Sequence, residues 1–284
     1  MRYLTAAEYR SAPTAVDTAH LVVDGTPDAQ DAELLRCIDR ASTWIDNTTD
    51  NPLVAAVRYR THRAPLTRRG TLFLAPRARP LVSLAALSVG TTAADLTVVD
   101  VSGAWIEGDH FLAPLSTGST IGLGLNAGLA AGTDLLARYR FVSGWPNTVL
   151  TESVSAAATS LHVADTAAMT AGSDEGPATV LTIVDGATTE TVTVTAVTSS
   201  TVVETTAVTY GHTVVAGAVN DIAVHAMPEV IKWAAIALTS IAARSRGNDA
   251  FTMREPGPAS TVDPVSLNDW LTVRDILAGW VPLR

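Results

Sequence analysis

The chain has 284 residues, 47% hydrophobic and 17% charged, with a formal net charge of −9. That composition is globular rather than disordered, and the length suffices for one large domain or two to three modules with their own cores. The acidic balance disfavours a protein whose task is to grip DNA, which needs positive charge against phosphate.

Cys37 is the single cysteine, which excludes an internal disulfide and a Cys-based metal site. It lies in an apolar-periodic stretch and is expected to be a small core residue. The opening Met1-Arg2-Tyr3-Leu4-Thr5 lacks the apolar run of a signal peptide. No stretch reaches about 18 uninterrupted apolar residues, so no membrane partner is expected and folding in a reducing cytoplasm is.

In chain order, Thr5 with Glu8 three residues later has the form of a capping box for a short helix over 5–10. The spacing of Leu34, Ile38, Ala41 and Ile45 predicts a helix over 28–46, with Asp28, Asp31 and Glu33 in its first turns, where the helix dipole favours them. Asn51-Pro52 ends it. Strands are predicted at 54–60, 70–74, 81–89, 96–101, 104–107 and 137–142, with Gly, Pro and Asp at the breaks; that cadence suits a small sandwich or barrel. Residues 148–224 are rich in Thr, Val and Ala, and Thr191-Val192-Thr193-Val194-Thr195 alternates with period two, as a half-buried strand does. Pro228 opens a helix to about residue 246 whose apolar face is read as Val230, Trp233, Ala234, Ala237, Leu238 and Ile241. A Pro- and Gly-rich linker over 248–263 precedes a last helix at about 267–278. The expected parts are therefore 1–50, 51–147, 148–225 and 226–284.

Charge falls in blocks. Residues 51–94 contain no acid but hold Arg58, Arg60, Arg63, Arg68, Arg69, Arg77 and Arg79, whereas 141–231 contain acids and neither Lys nor Arg. Surfaces so different suit different neighbours, or each other, in an assembly, although a merely solvated acidic module has the same composition. Arg58 and Arg60 alternate along a predicted strand and so share one face, expected to be solvated. No aromatic stacking set accompanies the arginines, which favours an inter-subunit or partner-facing salt-bridge surface over a nucleic-acid patch.

Motifs of chemistry are lacking. There is no P-loop, no His-Glu-x-x-His and no Gly-x-Ser-x-Gly. The run from Gly122 to Gly128 has the wrong spacing for a dinucleotide fingerprint and suits a glycine-rich hairpin. The histidines are scattered. No catalytic residue, no metal site and no cofactor is assigned, and the expectation is a protein that is not an enzyme.

Several segments, taken in order, resemble a known family. Tyr3-Leu4-Thr5-Ala6-Ala7-Glu8-Tyr9, then Ala12-Pro13-Thr14, then Asp31-Ala32-Glu33-Leu34-Leu35 leading to Ala41-Ser42-Thr43-Trp44-Ile45-Asp46, look like actinobacteriophage head-to-tail adaptor (connector) proteins. Gly70-Thr71-Leu72, Arg79-Pro80-Leu81-Val82-Ser83-Leu84 and Phe141-Val142-Ser143-Gly144-Trp145-Pro146-Asn147-Thr148 fit the same pattern. Thr159-Ser160-Leu161-His162-Val163-Ala164-Asp165 and Tyr210-Gly211-His212 resemble the β-insertion of such proteins, and Pro228-Glu229-Val230 their final core helix.

The resemblance implies an α+β fold, a helical adaptor core of N- and C-terminal helices with two inserted, mainly antiparallel β-modules. It implies a virion component assembled in the host cytoplasm and located at the neck. There a homo-oligomeric ring, usually twelvefold, sits beneath the portal protein, receives neck, stopper or tail proteins, and passes genomic DNA without binding it specifically. A C-terminal segment docks on the portal in that family. Here Leu267, Trp270, Leu271, Ile276, Leu277 and Trp280 are the candidates, since buried Trp residues are typical interface anchors; packing of this tail onto its own chain is the alternative. A DNA conduit should repel phosphate, which makes Glu33, Asp39 and Asp46 candidate channel-lining residues. The arginine block is the candidate inter-subunit or portal-facing surface. A baseplate or fibre-type virion protein with glycan-binding β-modules is the other functional reading.

Overall fold

The computed structural model describes residues 2–67, 70–115, 134–173, 176–186, 188–215, 221–244 and 264–281, and for 264–270 the backbone alone. The chain divides into two compact units, one formed by 1–54 with 145–281 and the other by 55–144.

The first unit opens on the capping box. Glu8 N donates to the Thr5 hydroxyl at 3.1 Å and Thr5 N donates to the Glu8 carboxylate at 2.7 Å, which starts α1 (Ala6–Ser11). α2 (Pro27–Thr49) has Thr26 as its N-cap, proline in its first turn, and Asp50 in the left-handed region as its C-cap. Leu34, Cys37, Ile38, Ala41, Trp44 and Ile45 form its buried stripe, at the spacing one helical face requires.

The second unit holds β1 (Ala56–Pro65), β2 (Thr71–Leu74), β3 (Leu81–Gly90), β4 (Thr97–Val99), β5 (Trp105–Glu107), β6 (His110–Pro114) and β7 (Asp134–Ser143). They form an antiparallel sheet in the order β1-β7-β3-β4 and a three-stranded sheet β2-β6-β5. Both sheets contribute to one apolar cluster that includes Leu72, Leu87, Phe111, Leu135, Tyr139 and Phe141. β7 shows the strand period cleanly: Leu135, Ala137, Tyr139 and Phe141 are buried while Arg138 and Arg140 point out. Register shifts at Leu81/Ser83 and Leu84/Ala86 bend β3 along β7.

The chain then returns to the first unit. β8 (Asn147–Val149), β9 (Ser160–His162), β10 (Val180–Asp185), β11 (Thr188–Val197), β12 (Val202–Thr205) and β13 (Ala223–His225) form a six-stranded sheet ordered β8-β13-β10-β11-β12-β9. Leu181, Ile183, Val192, Val194 and Val203 fill its core, and the alternating threonines of β11 are exposed or half-buried. α3 (Glu229–Arg244) and α4 (Pro264–Ala278) complete the unit.

The α+β expectation, a helical core of N- and C-terminal helices carrying two β-modules, is overturned. Among the described residues strand outweighs helix, in three sheets. The helices do not close on themselves as a separate bundle. α1 also packs on β10, and Leu53, Val54 and Met227, from segments outside the helices, are members of the apolar cluster to which the helices contribute. Strong helical periodicity in a few segments outweighed many short strands whose individual signals are weak.

The face of α3 also differs from expectation. Ile231, Ala234, Ala235, Leu238 and Ala242 are buried, whereas Val230 and Trp233 are 38% and 46% exposed. The helix is apolar nearly all round, so periodicity alone does not choose which stripe turns inward.

Candidate functional site

Among the described residues no group of three His, Cys, Asp or Glu side chains is placed to hold a metal ion, and no helix is long and apolar enough to cross a membrane. The densest buried polar cluster surrounds Lys232, one turn into α3. Its ammonium donates to the Glu8 carboxylate at 2.7 Å, to the Tyr3 carbonyl at 2.9 Å and to the Asn147 side-chain oxygen at 2.9 Å. An ammonium has three protons, and all three are used.

The acceptors arrive from three parts of the chain. The cap of α1 presents Glu8. The extended segment before it presents the Tyr3 carbonyl, held by Tyr3 N donating to Ser42 Oγ at 3.1 Å and by the Tyr3 hydroxyl donating to Asp46 at 2.6 Å. The first residue of β8 presents Asn147, whose amide also donates to the Arg2 carbonyl at 2.8 Å. Burial pulls the Lys232 pKa down, and the neighbouring Glu8 carboxylate opposes that fall. His225 on β13 stands 3.5 Å from Glu8, but burial, with the Lys232 charge adding to it, pushes its pKa to about 3. His225 is therefore neutral near pH 7, and this contact is no ion pair. With every proton of Lys232 engaged and no nucleophile beside it, the cluster is a structural pin that joins Tyr3, α1, β8 and α3.

A second pin lies in the six-stranded module. His212 is fully buried, with Nε2 at 2.7 Å from Glu190 and Nδ1 at 3.2 Å from Asp185. Burial works to raise the Glu190 pKa, but donors from Thr209 N, His212 and Tyr210 N outweigh it and hold the carboxyl below the usual range. Both imidazole nitrogens face carboxylates, so the arrangement ties the turn around Tyr210 to β10 and β11.

No family model matches the chain, and no curated protein matches it. A chain of a solved structure described as the neck of an empty GTA particle computed with C6 symmetry is similar over 99% of this chain and 94% of that one, at 16% identity and a TM-score of 0.38. A likeness this loose decides neither fold nor role.

The residues singled out in the sequence fall as follows. Each of the three candidate channel-lining acids on α2 has a partner: Glu33 with Arg36 at 3.1 Å, Asp39 with Arg2 at 2.7 Å, and Asp46 with the Tyr3 hydroxyl. At about 100° per residue, Asp39 and Asp46 lie within about 20° of each other around α2, and Glu33 lies at least about 120° away. Arg58 and Arg60 share a face of β1, as their spacing requires, but it is the half-buried face rather than a solvated one. Arg60 donates to the Pro76 carbonyl, Arg63 to the Asp134 carbonyl at 3.3 Å, and Arg79 pairs with Asp109. Arg77 is exposed. Arg68, Arg69 and the run from Gly122 to Gly128 lie outside the described residues, as do the side chains of Leu267 and Trp270. On α4, Val273 and Leu277 are fully buried in the cluster with the other helices. Trp280 packs edge-on against Trp145 with ring centroids 4.9 Å apart, while Leu271 and Ile276 are half-buried.

Sequence reasoning missed Lys232 as a centre. Its available signal was a lone lysine inside an apolar helix, directly after a stretch without any base. Arg138 and Arg140 were passed over as well; their signal was the period of β7, which puts both on the face opposite Tyr139 and Phe141.

Proposed function

We propose that this chain is a structural, non-enzymatic neck component of a tailed-phage virion. It acts as a head-to-tail adaptor that oligomerises as a ring beneath the portal and joins the capsid vertex to neck or tail proteins. The observation that carries this reading is the convergence at Lys232. The segments that resemble adaptor proteins lie far apart in sequence, at Tyr3 to Tyr9, around Trp145 to Thr148, and from Pro228 onward. Their residues Tyr3, Glu8 and Asn147 nevertheless meet one buried ammonium on the helix that Pro228 opens. Motifs that share one pin belong to one scaffold, which supports reading them together.

In this reading DNA passes through the ring without specific contact, and the side of α2 that carries Asp39 and Asp46, each bonded within its own chain, would face it. The half-buried Leu271 and Ile276 of α4, off the buried stripe of Val273 and Leu277, supply portal contact, because Leu277 is engaged within its own chain. A phage carrying a nonsense mutation in this gene is expected to give DNA-filled heads and complete free tails that fail to join. Joined, infectious particles from that mutant would reject the adaptor role, and joined particles unable to adsorb would point to a receptor-binding part.

A further inference from the structure

The sheet β1-β7-β3-β4 buries one face and leaves the other bare. On the bare face Val57, Tyr59 and Val98 are 51%, 75% and 76% exposed. They surround Arg138 and Arg140, which point outward from the middle of β7. The register sets Tyr59 beside Arg140, and Ser88, itself opposite Val98, beside Arg138. Neither arginine has an ion-pair partner among the described residues. β1, β3 and β4 contain no carboxylate, and that of β7, Asp134, stands at the strand's end. Tyrosine and arginine set among exposed valines are the composition of an interface core, not of an ordinary solvated sheet.

The chain also carries a surface of opposite character. Residues 141–231 hold no Lys or Arg. The outer face of β10-β11-β12-β9, apart from the stretch of β10 on which α1 packs, is rich in threonine, with Val180 53% exposed. Glu204 shares that face, opposite Ser160, and the exposed Glu152 sits 3.5 Å from His162 at its margin.

We propose that the bare face of β1-β7-β3-β4 in one copy seats on the acidic, threonine-rich outer face of β10-β11-β12-β9 in a second copy, with Arg138 and Arg140 meeting Glu204 and Glu152. Two sheets packed face to face bury such valines and threonines at about 10 Å separation. Self-pairing of the basic face is disfavoured because it sets arginine against arginine. Nucleic acid is the poorer occupant, since phosphate leaves Val57 and Val98 uncovered and the whole chain is acidic. The contact joins two different surfaces, so it is head-to-tail, the kind of contact that builds a ring when its rotation closes. It rests on the homo-oligomeric part of the proposed function.

Charge reversal tests it in the full-length protein. Arg138→Glu with Arg140→Glu is expected to weaken self-association on the order of 10- to 100-fold in sedimentation velocity, and Glu152→Arg with Glu204→Arg to do the same. Mixing the two variants restores association, because each reversed face then meets a complementary one. Association that survives the arginine reversals, or a mixture that stays dissociated, overturns the pairing while leaving the neck location to be judged on virions. Loss of a DNA gel shift with the arginine variant, with self-association unchanged, would assign the face to nucleic acid instead.

Discussion

Replacing Lys232 by methionine should unfold the first unit far more readily than the loss of one side chain on a helix surface would. Methionine keeps the stem's volume but removes three donors. The Glu8 carboxylate then stays buried with the donor from Thr5 N at 2.7 Å as its remaining short bond. Leaving that buried carboxylate without its counter-ion costs about 3–5 kcal/mol. The Tyr3 carbonyl and Asn147 each lose a bond worth about 1 kcal/mol, and release of the lysine from its own burial offsets part of the total. A net loss of about 3–5 kcal/mol follows, to be measured by urea denaturation followed through the fluorescence of Trp44, Trp145 and Trp280.

The double variant gives the check. Adding Glu8→Gln to Lys232→Met removes the uncompensated charge and should recover about 2 kcal/mol or more, since glutamine still caps α1. A deficit below about 1 kcal/mol, or one that Glu8→Gln leaves unchanged, would refute the pin as described.

Other consequences follow from the same contacts. The His225 pKa is lowered to about 3, below its unfolded value of about 6.5. Its contribution to stability is therefore whole above pH 6.5 and declines by up to about 1.4 kcal/mol per pH unit as pH falls toward 3; His225→Gln should flatten that limb of the profile. Leu277→Ala should cost about 2–5 kcal/mol, as for other buried leucines, while Leu271→Ala at a half-buried position should cost less than about 1 kcal/mol, both read by denaturation midpoints. His212→Ala leaves buried Glu190 without its ring partner and should cost about 2–3 kcal/mol, with faster hydrogen exchange confined to β10, β11 and the turn at Tyr210.

The parts of the fold legible in the sequence were those with a clean period. α2 lies at Pro27–Thr49, where 28–46 was expected, because its apolar residues recur at three and four and its ends carry Thr26-Pro27 and Asn51-Pro52. The Thr-Val alternation of β11 and the break-bounded strands of the second unit were visible for the same reason. β6 was not, since Phe111, Leu112 and Ala113 are all buried in succession and show no alternation. The balance of sheet over helix was misjudged, because strands of three residues such as β8, β9 and β13 acquire their identity from partners far along the chain. Val230 and Trp233 were placed inward because α3 is apolar on every side, and only packing distinguishes them from Ile231 and Ala234. The sites were less legible still. A buried lysine contradicts the usual exposure of its type, and Glu8 was legible as a cap but not as its counter-ion. Arg58 and Arg60 drew notice as a charge block, although β1 turns them half inward and it is Arg138 and Arg140 that stand free on the sheet.

The central claim, a structural role at the head-to-tail junction, is tested most directly by gold labelling of a tagged copy in purified virions viewed by electron microscopy. Label at the neck between head and tail is the predicted result. Label at the tail tip would contradict it and assign the chain to a receptor-binding part.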